Sequence, residues 1–93
     1  MDIKHVEGIN KGEIKIYTLS TCVWCKKTKR LLSELGIKYS YIDVDLLEGD
    51  EKKKAEDEIR KWNPYVTFPT LVLNNQECII GYKENQIKEV FGE

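Results

Sequence analysis

The sequence predicts an α/β domain with a four-stranded mixed sheet, in the order β-α-β-α-β-β-α, with helices on both faces. Three observations predict it. An alternating run, Ile14-Lys15-Ile16-Tyr17-Thr18-Leu19, leads directly into a stretch with helical spacing. A second strand-to-helix passage begins at Tyr39, and two short apolar runs then flank Asn74-Asn75. A parallel βαβ unit followed by a hairpin accounts for all three.

The alternation over 14–19 is the period of a half-buried strand. It ends at Ser20-Thr21, hydroxyl residues suited to cap a helix. From Cys22 to Leu35, the residues Trp24, Thr28, Leu31, Leu32 and Leu35 recur at helical spacing, and Gly36 is placed to end the helix. Tyr39 to Val44 reads as the next strand. Asp50 is placed to cap a helix whose thin apolar stripe is Ala55, Ile59 and Trp62, stopped by Asn63-Pro64. Thr70-Leu71-Val72-Leu73 and Glu77-Cys78-Ile79-Ile80 form the hairpin, because Asn tolerates the positive φ of a tight turn. A last short helix from about Glu84 carries Ile87, Val90 and Phe91, with Gly92 behind it. Ile3 to Val6 is expected to add a further strand. The chain therefore divides into an N-terminal extension, 1–12, and a domain over 13–93.

At 93 residues the chain holds one domain with a modest core. Apolar residues make up 41% and charged residues 33%, which places it with folded, soluble proteins. No window approaches the roughly 18 apolar residues of a membrane span, and Met1-Asp2-Ile3-Lys4-His5 precedes no apolar signal core. The expected location is the cytoplasm. The formal net charge of −1 conceals an asymmetry. Residues 1–42 carry eight Lys/Arg against four Asp/Glu, or +4, and residues 43–93 carry seven against twelve, or −5. That basic excess is too small, and too poor in interleaved aromatics, for nucleic-acid binding.

Three cysteines do not make a disulfide framework, since one would stay unpaired. Cys22-Val23-Trp24-Cys25 is the constellation with specific chemistry. The spacing puts both sulfurs on the first helical turn, close enough for a small disulfide ring. Free backbone N–H groups and the positive helix end favour a thiolate at Cys22, which makes it the nucleophile. Cys25, one turn inside and less exposed, is placed to resolve the mixed disulfide. A zinc site would need a second matching pair, and only Cys78 and His5 remain. Two buried structural thiols fit poorly at a helix start, so the residues point to redox chemistry without a metal.

The βαβ unit opening with Thr21-Cys22-Val23-Trp24-Cys25, Thr67-Phe68-Pro69-Thr70 ahead of a hairpin, and Gly81 ahead of a last helix resemble the glutaredoxin branch of the thioredoxin fold, over about residues 13–92. The resemblance implies a small oxidoreductase that reduces disulfides of proteins or small molecules. It implies that Phe68–Pro69 is a cis bond facing the cysteine pair, a rare conformation. It implies a substrate groove shaped by Thr67, Phe68 and Pro69 and closed on one side by Gly81-Tyr82. It requires no bound cofactor. Glutathione or a thioredoxin-reductase-type system is the implied electron donor, disulfide-containing proteins are the implied partners, and the chain is expected to be a monomer away from membranes.

The departures from that pattern bear on the donor. Glutathione-using members usually have Pro-Tyr between the cysteines, where this chain has Val23-Trp24. They usually have a lysine three residues before the first cysteine, where Leu19 stands. Their Gly-Gly turn and acidic helix start are replaced by Gly81-Tyr82-Lys83-Glu84-Asn85. Losing a lysine at the carboxylate end and gaining one at the ammonium end both weaken glutathione recognition. Val23 is similar to the redoxins that supply ribonucleotide reductase. Val23 also removes the proline that discourages a [2Fe–2S] cluster between two monomers, so a cluster carrier or sensor is the alternative.

The flanking residues carry two readings each. Trp24 either meets partner proteins or folds onto the helix as core. Lys26, Lys27, Lys29 and Arg30 read first as a solvated helix face, and second as a surface that steers an acidic partner. Tyr17 and Tyr65 either flank the site or pack. Cys78 reads as a small core residue, His5 as surface, and Asp43 and Asp45 as solvated loop carboxylates. Lys52–Lys54 and Glu56–Glu58 read as a solvent-facing helix laced with ion pairs.

Overall fold

The computed structural model describes residues 3–91. Five strands and three helices follow one another as β1 (Lys4–Val6), β2 (Ile14–Thr18), α1 (Val23–Glu34), β3 (Tyr39–Asp43), α2 (Gly49–Trp62), β4 (Thr70–Leu73), β5 (Glu77–Ile80) and α3 (Glu84–Val90). A short 3-10 turn, Val44–Leu46, joins β3 to the approach of α2. The sheet order is β1-β3-β2-β4-β5. Among the described strands β2 and β3 are the parallel pair, with Tyr17 beside Ile42 and Thr18 beside Asp43. The fold is thioredoxin-like, and the strand expected near the N-terminus is present, antiparallel to β3. The segment behind it is tied down as well. Ile9 donates to the Gly36 carbonyl at 2.7 Å, and Lys38 donates to the Ile9 carbonyl at 2.9 Å.

Period-two alternation divides the core between the two faces of the sheet. Ile14, Ile16, Leu71, Leu73 and Ile79 pack with Leu31, Leu32, Ile87 and Phe91, so α1 and α3 share one face. Tyr17, Ile42 and Val72 pack with Val44, Leu47, Ala55 and Ile59, so α2 covers the other. Strand β4 is buried along its whole length because both faces are covered. Each fully buried Ile or Leu contributes about 1.5–3 kcal/mol relative to exposure. Among the described residues no helix is long and apolar enough to cross a membrane.

Several boundaries differ from expectation. Helix α1 is capped by Cys22, not by Ser20 or Thr21. The reason is local: the Ser20 amide and hydroxyl are both taken by the Asp45 carboxylate, leaving the Cys22 sulfur to accept a helical N–H. Helix α1 ends as expected, with Gly36 at φ +71, and with the Gly36 and Ile37 amides donating to the Ser33 and Leu32 carbonyls. That paired arrangement satisfies carbonyls the helix leaves open. Strand β3 stops at Asp43, because Val44 enters the 3-10 turn. Helix α2 starts at Gly49 with Glu48 as cap, so Asp50 lies in the first turn, where its charge still suits the positive helix end. Within its stripe Ala55 and Ile59 are buried, while Trp62 is half-buried. Asn74 and Asn75 take φ +52 and +55 in the hairpin turn. Gly92 lies outside the described residues.

Candidate active site

Strand register places three separate segments at one end of the sheet. Tyr17 pairs with Thr70 and Thr70 with Ile80. The residues just after β2, just before β4 and just after β5 therefore lie side by side: Cys22–Cys25, Thr67–Pro69 and Gly81-Tyr82.

The cysteines divide by depth. Cys22 is half-buried and Cys25 has no solvent exposure, and both are free thiols. Cys22 caps α1 in an extended conformation, and its Sγ accepts the Cys25 amide N–H at 3.2 Å. Negative charge on that sulfur would meet a preset donor. Burial, followed by the hydrogen bond to Cys22, pushes the Cys25 thiol up to about 12. The Leu19 backbone hydrogen bond and, more weakly, the Lys29 charge act in the opposite direction. Val23 and Trp24 between them point outward, at 61% and 54% exposure.

Trp24 is not core. Its ring stacks on Tyr82 with centroids 5.9 Å apart and planes 27° from parallel, and Lys27 Nζ lies 4.7 Å from its centroid. This contact joins the cysteine turn to the turn after β5. The Phe68–Pro69 bond is cis, and the Pro69 carbonyl accepts the Gly81 amide at 2.8 Å. Pro69 is buried, Phe68 half-buried and Thr67 exposed. Gly81 sits at φ +83, a conformation glycine adopts without a side-chain penalty. Lys83, next to it, donates from Nζ to the Ile80 carbonyl at 2.8 Å.

The loop before Pro69 hangs on Asn63, which the sequence marked only as a helix stop. Asn63 is fully buried. Its Nδ2 faces Thr67 Oγ1 at 2.8 Å, Thr70 Oγ1 at 3.1 Å and the Thr67 carbonyl at 3.2 Å, while its Oδ1 accepts the Tyr65 amide. Two amide protons serve three acceptors, so the set is over-provided rather than short. Val66 takes φ +50 here, a region β-branched residues rarely enter.

The remaining expectations divide. Asp43 is half-buried and not a solvated loop carboxylate, whereas Asp45 is exposed as expected yet holds a partner. Asp43 Oδ1 lies 2.6 Å from Thr18 Oγ1 and 3.4 Å from Lys29 Nζ. Asp45 holds Ser20, and the two hydrogen bonds from Ser20 keep its carboxyl below the usual range. Lys29 is half-buried and leaves the solvated face that Lys26, Lys27 and Arg30 keep. Tyr17 packs: it is buried, donates to Glu58 Oε2 at 2.8 Å, and burial with that carboxylate holds its hydroxyl protonated well above the ordinary range. Tyr65 is 86% exposed. Cys78 is half-buried, its Sγ 3.5 Å from the Trp62 carbonyl, and His5 is exposed on β1. Asp43 and Lys29 left no signal in the sequence because each acts through a partner from another element, and Asn63 left none because its partners, all within seven residues, converge only when the loop folds back on it.

The chain matches the family model for glutaredoxin over residues 14–79. It is 32% identical over 77 residues to a glutaredoxin-like 8.6 kDa protein in the rubredoxin operon of Clostridium pasteurianum, an alignment spanning 83% of this chain and 95% of that one. Among solved structures, the glutaredoxin of Methanosarcina mazei is 48% identical with a TM-score of 0.91, covering 98% of this chain and 88% of the other. Methanosarcina acetivorans methanoredoxin is 52% identical with a TM-score of 0.89, covering 92% and 90%. With the half-buried and buried thiols at the start of one helix, these likenesses settle the class: the chain belongs to the glutaredoxin family of thiol–disulfide oxidoreductases.

Proposed function

We propose that the protein reduces disulfides by dithiol exchange, with Cys22 as attacking and Cys25 as resolving sulfur. Cys22 attacks one sulfur of the substrate disulfide and displaces the other as a thiol. Cys25 then attacks Cys22 in the mixed disulfide and releases the second thiol. The observation that carries this is the division of depth between the two sulfurs: the Cys22 Sγ accepts an amide N–H at the helix start, while Cys25 is fully buried and held protonated by burial. Trp24 and Tyr82 form one wall of the substrate groove, and Thr67, Phe68, Pro69 and Gly81 form its floor and far side. A substrate strand lying there meets the backbone of Phe68 and a proline that offers no competing N–H.

The donor is glutathione or a reductase-coupled system. Two features favour the second: Leu19 stands where a lysine would meet a carboxylate, and Lys83 is fixed beside Gly81 by its bond to Ile80. Both disfavour a zwitterionic tripeptide on charge grounds. A [2Fe–2S] cluster is not served by one chain, since among the described residues no group of three His, Cys, Asp or Glu side chains converges. That reading needs ligands from a second copy and an external thiol.

The test uses the intact chain with Cys22→Ser and Cys25→Ser variants. Cys22→Ser abolishes disulfide reduction, and Cys25→Ser accumulates a mixed disulfide visible by mass spectrometry. Retained dithiol turnover in Cys22→Ser overturns the assignment. Offering oxidised protein reduced glutathione and, separately, a thioredoxin-reductase-type system distinguishes the donors by which one regenerates two thiols. Visible absorption after anaerobic reconstitution identifies the cluster-bearing alternative.

A further inference from the structure

Behind Cys25 lies a charged pair that the exchange as described does not use. Lys29 is one helical turn beyond Cys25 on α1, and helical side chains lean toward the N-terminus, so Lys29 covers the turn that carries Cys25. Its ammonium is fixed. Nζ stands 3.4 Å from Asp43 Oδ1 and 3.8 Å from the centroid of Tyr41. Asp43 is fixed in turn by Thr18, a fully buried residue whose Oγ1 is 2.6 Å from the same Oδ1 and 3.1 Å from the Ile42 carbonyl. The Lys29 and Asp43 side chains keep only 21% and 18% of their exposure. Drawing two charges this far out of water offsets most of their attraction, so stability is a weak reason for the pair. Its place one helical turn from a buried thiol supplies a better one.

We infer that Lys29 is a positioning residue for the resolving half of the exchange: held by Asp43 and Tyr41, its charge stabilises the Cys25 thiolate as that thiolate forms, and Asp43 limits how strongly it does so. The inference rests on the reading of Cys25 as the resolving sulfur. In that step the Cys25 S–H bond breaks, its sulfur forms a bond to Cys22 Sγ, and the Cys22–substrate S–S bond breaks. The substrate sulfur leaves with the electron pair, and the Cys25 proton ends on it or on buffer. The enzyme dithiol is oxidised and the substrate disulfide reduced. Among the described residues, the charged and titratable groups packed around Cys25 and Lys29 include Cys22 at the helix start, Asp43, Tyr41 and Tyr39 from β3, and Lys4 from β1, which pairs with Tyr41 and lines the same depression as Asp43. The raised Cys25 thiol, with Lys29 acting to lower it, agrees with that arrangement.

The pair makes predictions of opposite sign, which a merely structural role does not. Reduced full-length protein carrying Cys78→Ser in every variant, so that the third free thiol contributes nothing, is mixed rapidly with dithiobis(nitrobenzoate), whose first released chromophore reports attack by Cys22 and whose second reports resolution by Cys25. Lys29→Gln slows the second phase at pH 7 by about three- to tenfold and moves its pH midpoint upward, with the first phase unchanged. Lys29→Arg restores most of the rate. Asp43→Asn, whose amide oxygen still accepts the Thr18 hydroxyl, accelerates the second phase. Equal slowing by Lys29→Gln and Asp43→Asn, or a second phase indifferent to both, overturns the inference. Should Asp43→Asn fail to fold, the contrast between Lys29→Gln and Lys29→Arg decides. Cys25→Ser is the control: release of both chromophores from it refutes the resolving role itself, not the part given to Lys29.

Discussion

The Gly81 amide donates to the Pro69 carbonyl at 2.8 Å, one step beyond the last rung of the β4–β5 ladder, Thr70 with Ile80. The turn that carries Tyr82, and through it the Trp24 stack, is therefore indexed to the proline beside the cysteines. Gly81 holds φ +83, and a Cβ there would meet nothing nearer than Lys83 Nζ at 3.8 Å. The backbone conformation, not space, is what restricts this position. Gly81→Ala is expected to destabilise the protein by about 1–2 kcal/mol in denaturant titration, with an unchanged m-value.

Asn63→Ala removes the shared donor under Thr67 and Thr70 and the acceptor for Tyr65. It is expected to cost about 2–3 kcal/mol, because buried partners lose their hydrogen bonds together. Hydrogen exchange at residues 64–69 is expected to accelerate more than exchange in α1. Uniform acceleration across the chain would show that Asn63 supports the fold at large rather than this loop.

Trp24→Ala is expected to leave stability within about 1 kcal/mol, since it removes one exposed stack and one cation–π contact. KM for a protein disulfide rises, while alkylation of Cys22 by iodoacetamide keeps its rate. An unchanged KM would remove Trp24 from the substrate surface.

Cys25 gives the reduced protein a definite pH dependence. Its folded value, about 12, lies above an unfolded thiol near 8.5. Below the unfolded value the thiol is protonated in both states, and the stability it contributes is fully present. As pH rises between the two values the unfolded chain releases the proton first, so stability falls, by up to about 1.4 kcal/mol per pH unit. Urea midpoints of reduced wild type are expected to drop from about pH 9 upward relative to Cys25→Ser. Parallel curves for the two proteins would contradict the assignment.

What the sequence made legible was local. The Cys22–Cys25 spacing, the proline before β4 and the two asparagines of the hairpin each carry their meaning within a few residues. The site's support was not legible, because it depends on register. Thr18 reaches Asp43 across 25 positions and Ser20 reaches Asp45 across 25, both consequences of β2 and β3 running parallel. A carboxylate after a strand reads as solvated until that neighbour is known. The same applies to Lys29, one of four basic residues on α1, whose partners lie on β3. Cap identity failed for a related reason: Asp45 occupied Ser20, and a sulfur took the capping role.

The three residues of β1 also have a consequence for self-association. By pairing with Tyr39, Ser40 and Tyr41 they cover the otherwise open border of β3, and they present exposed Lys4 and His5 outward instead. Short borders with charged side chains are poor templates for strand addition by another molecule. Removing residues 1–7 would bare the backbone of β3 at Tyr39, Ser40 and Tyr41, leaving an unpaired strand where another molecule could add.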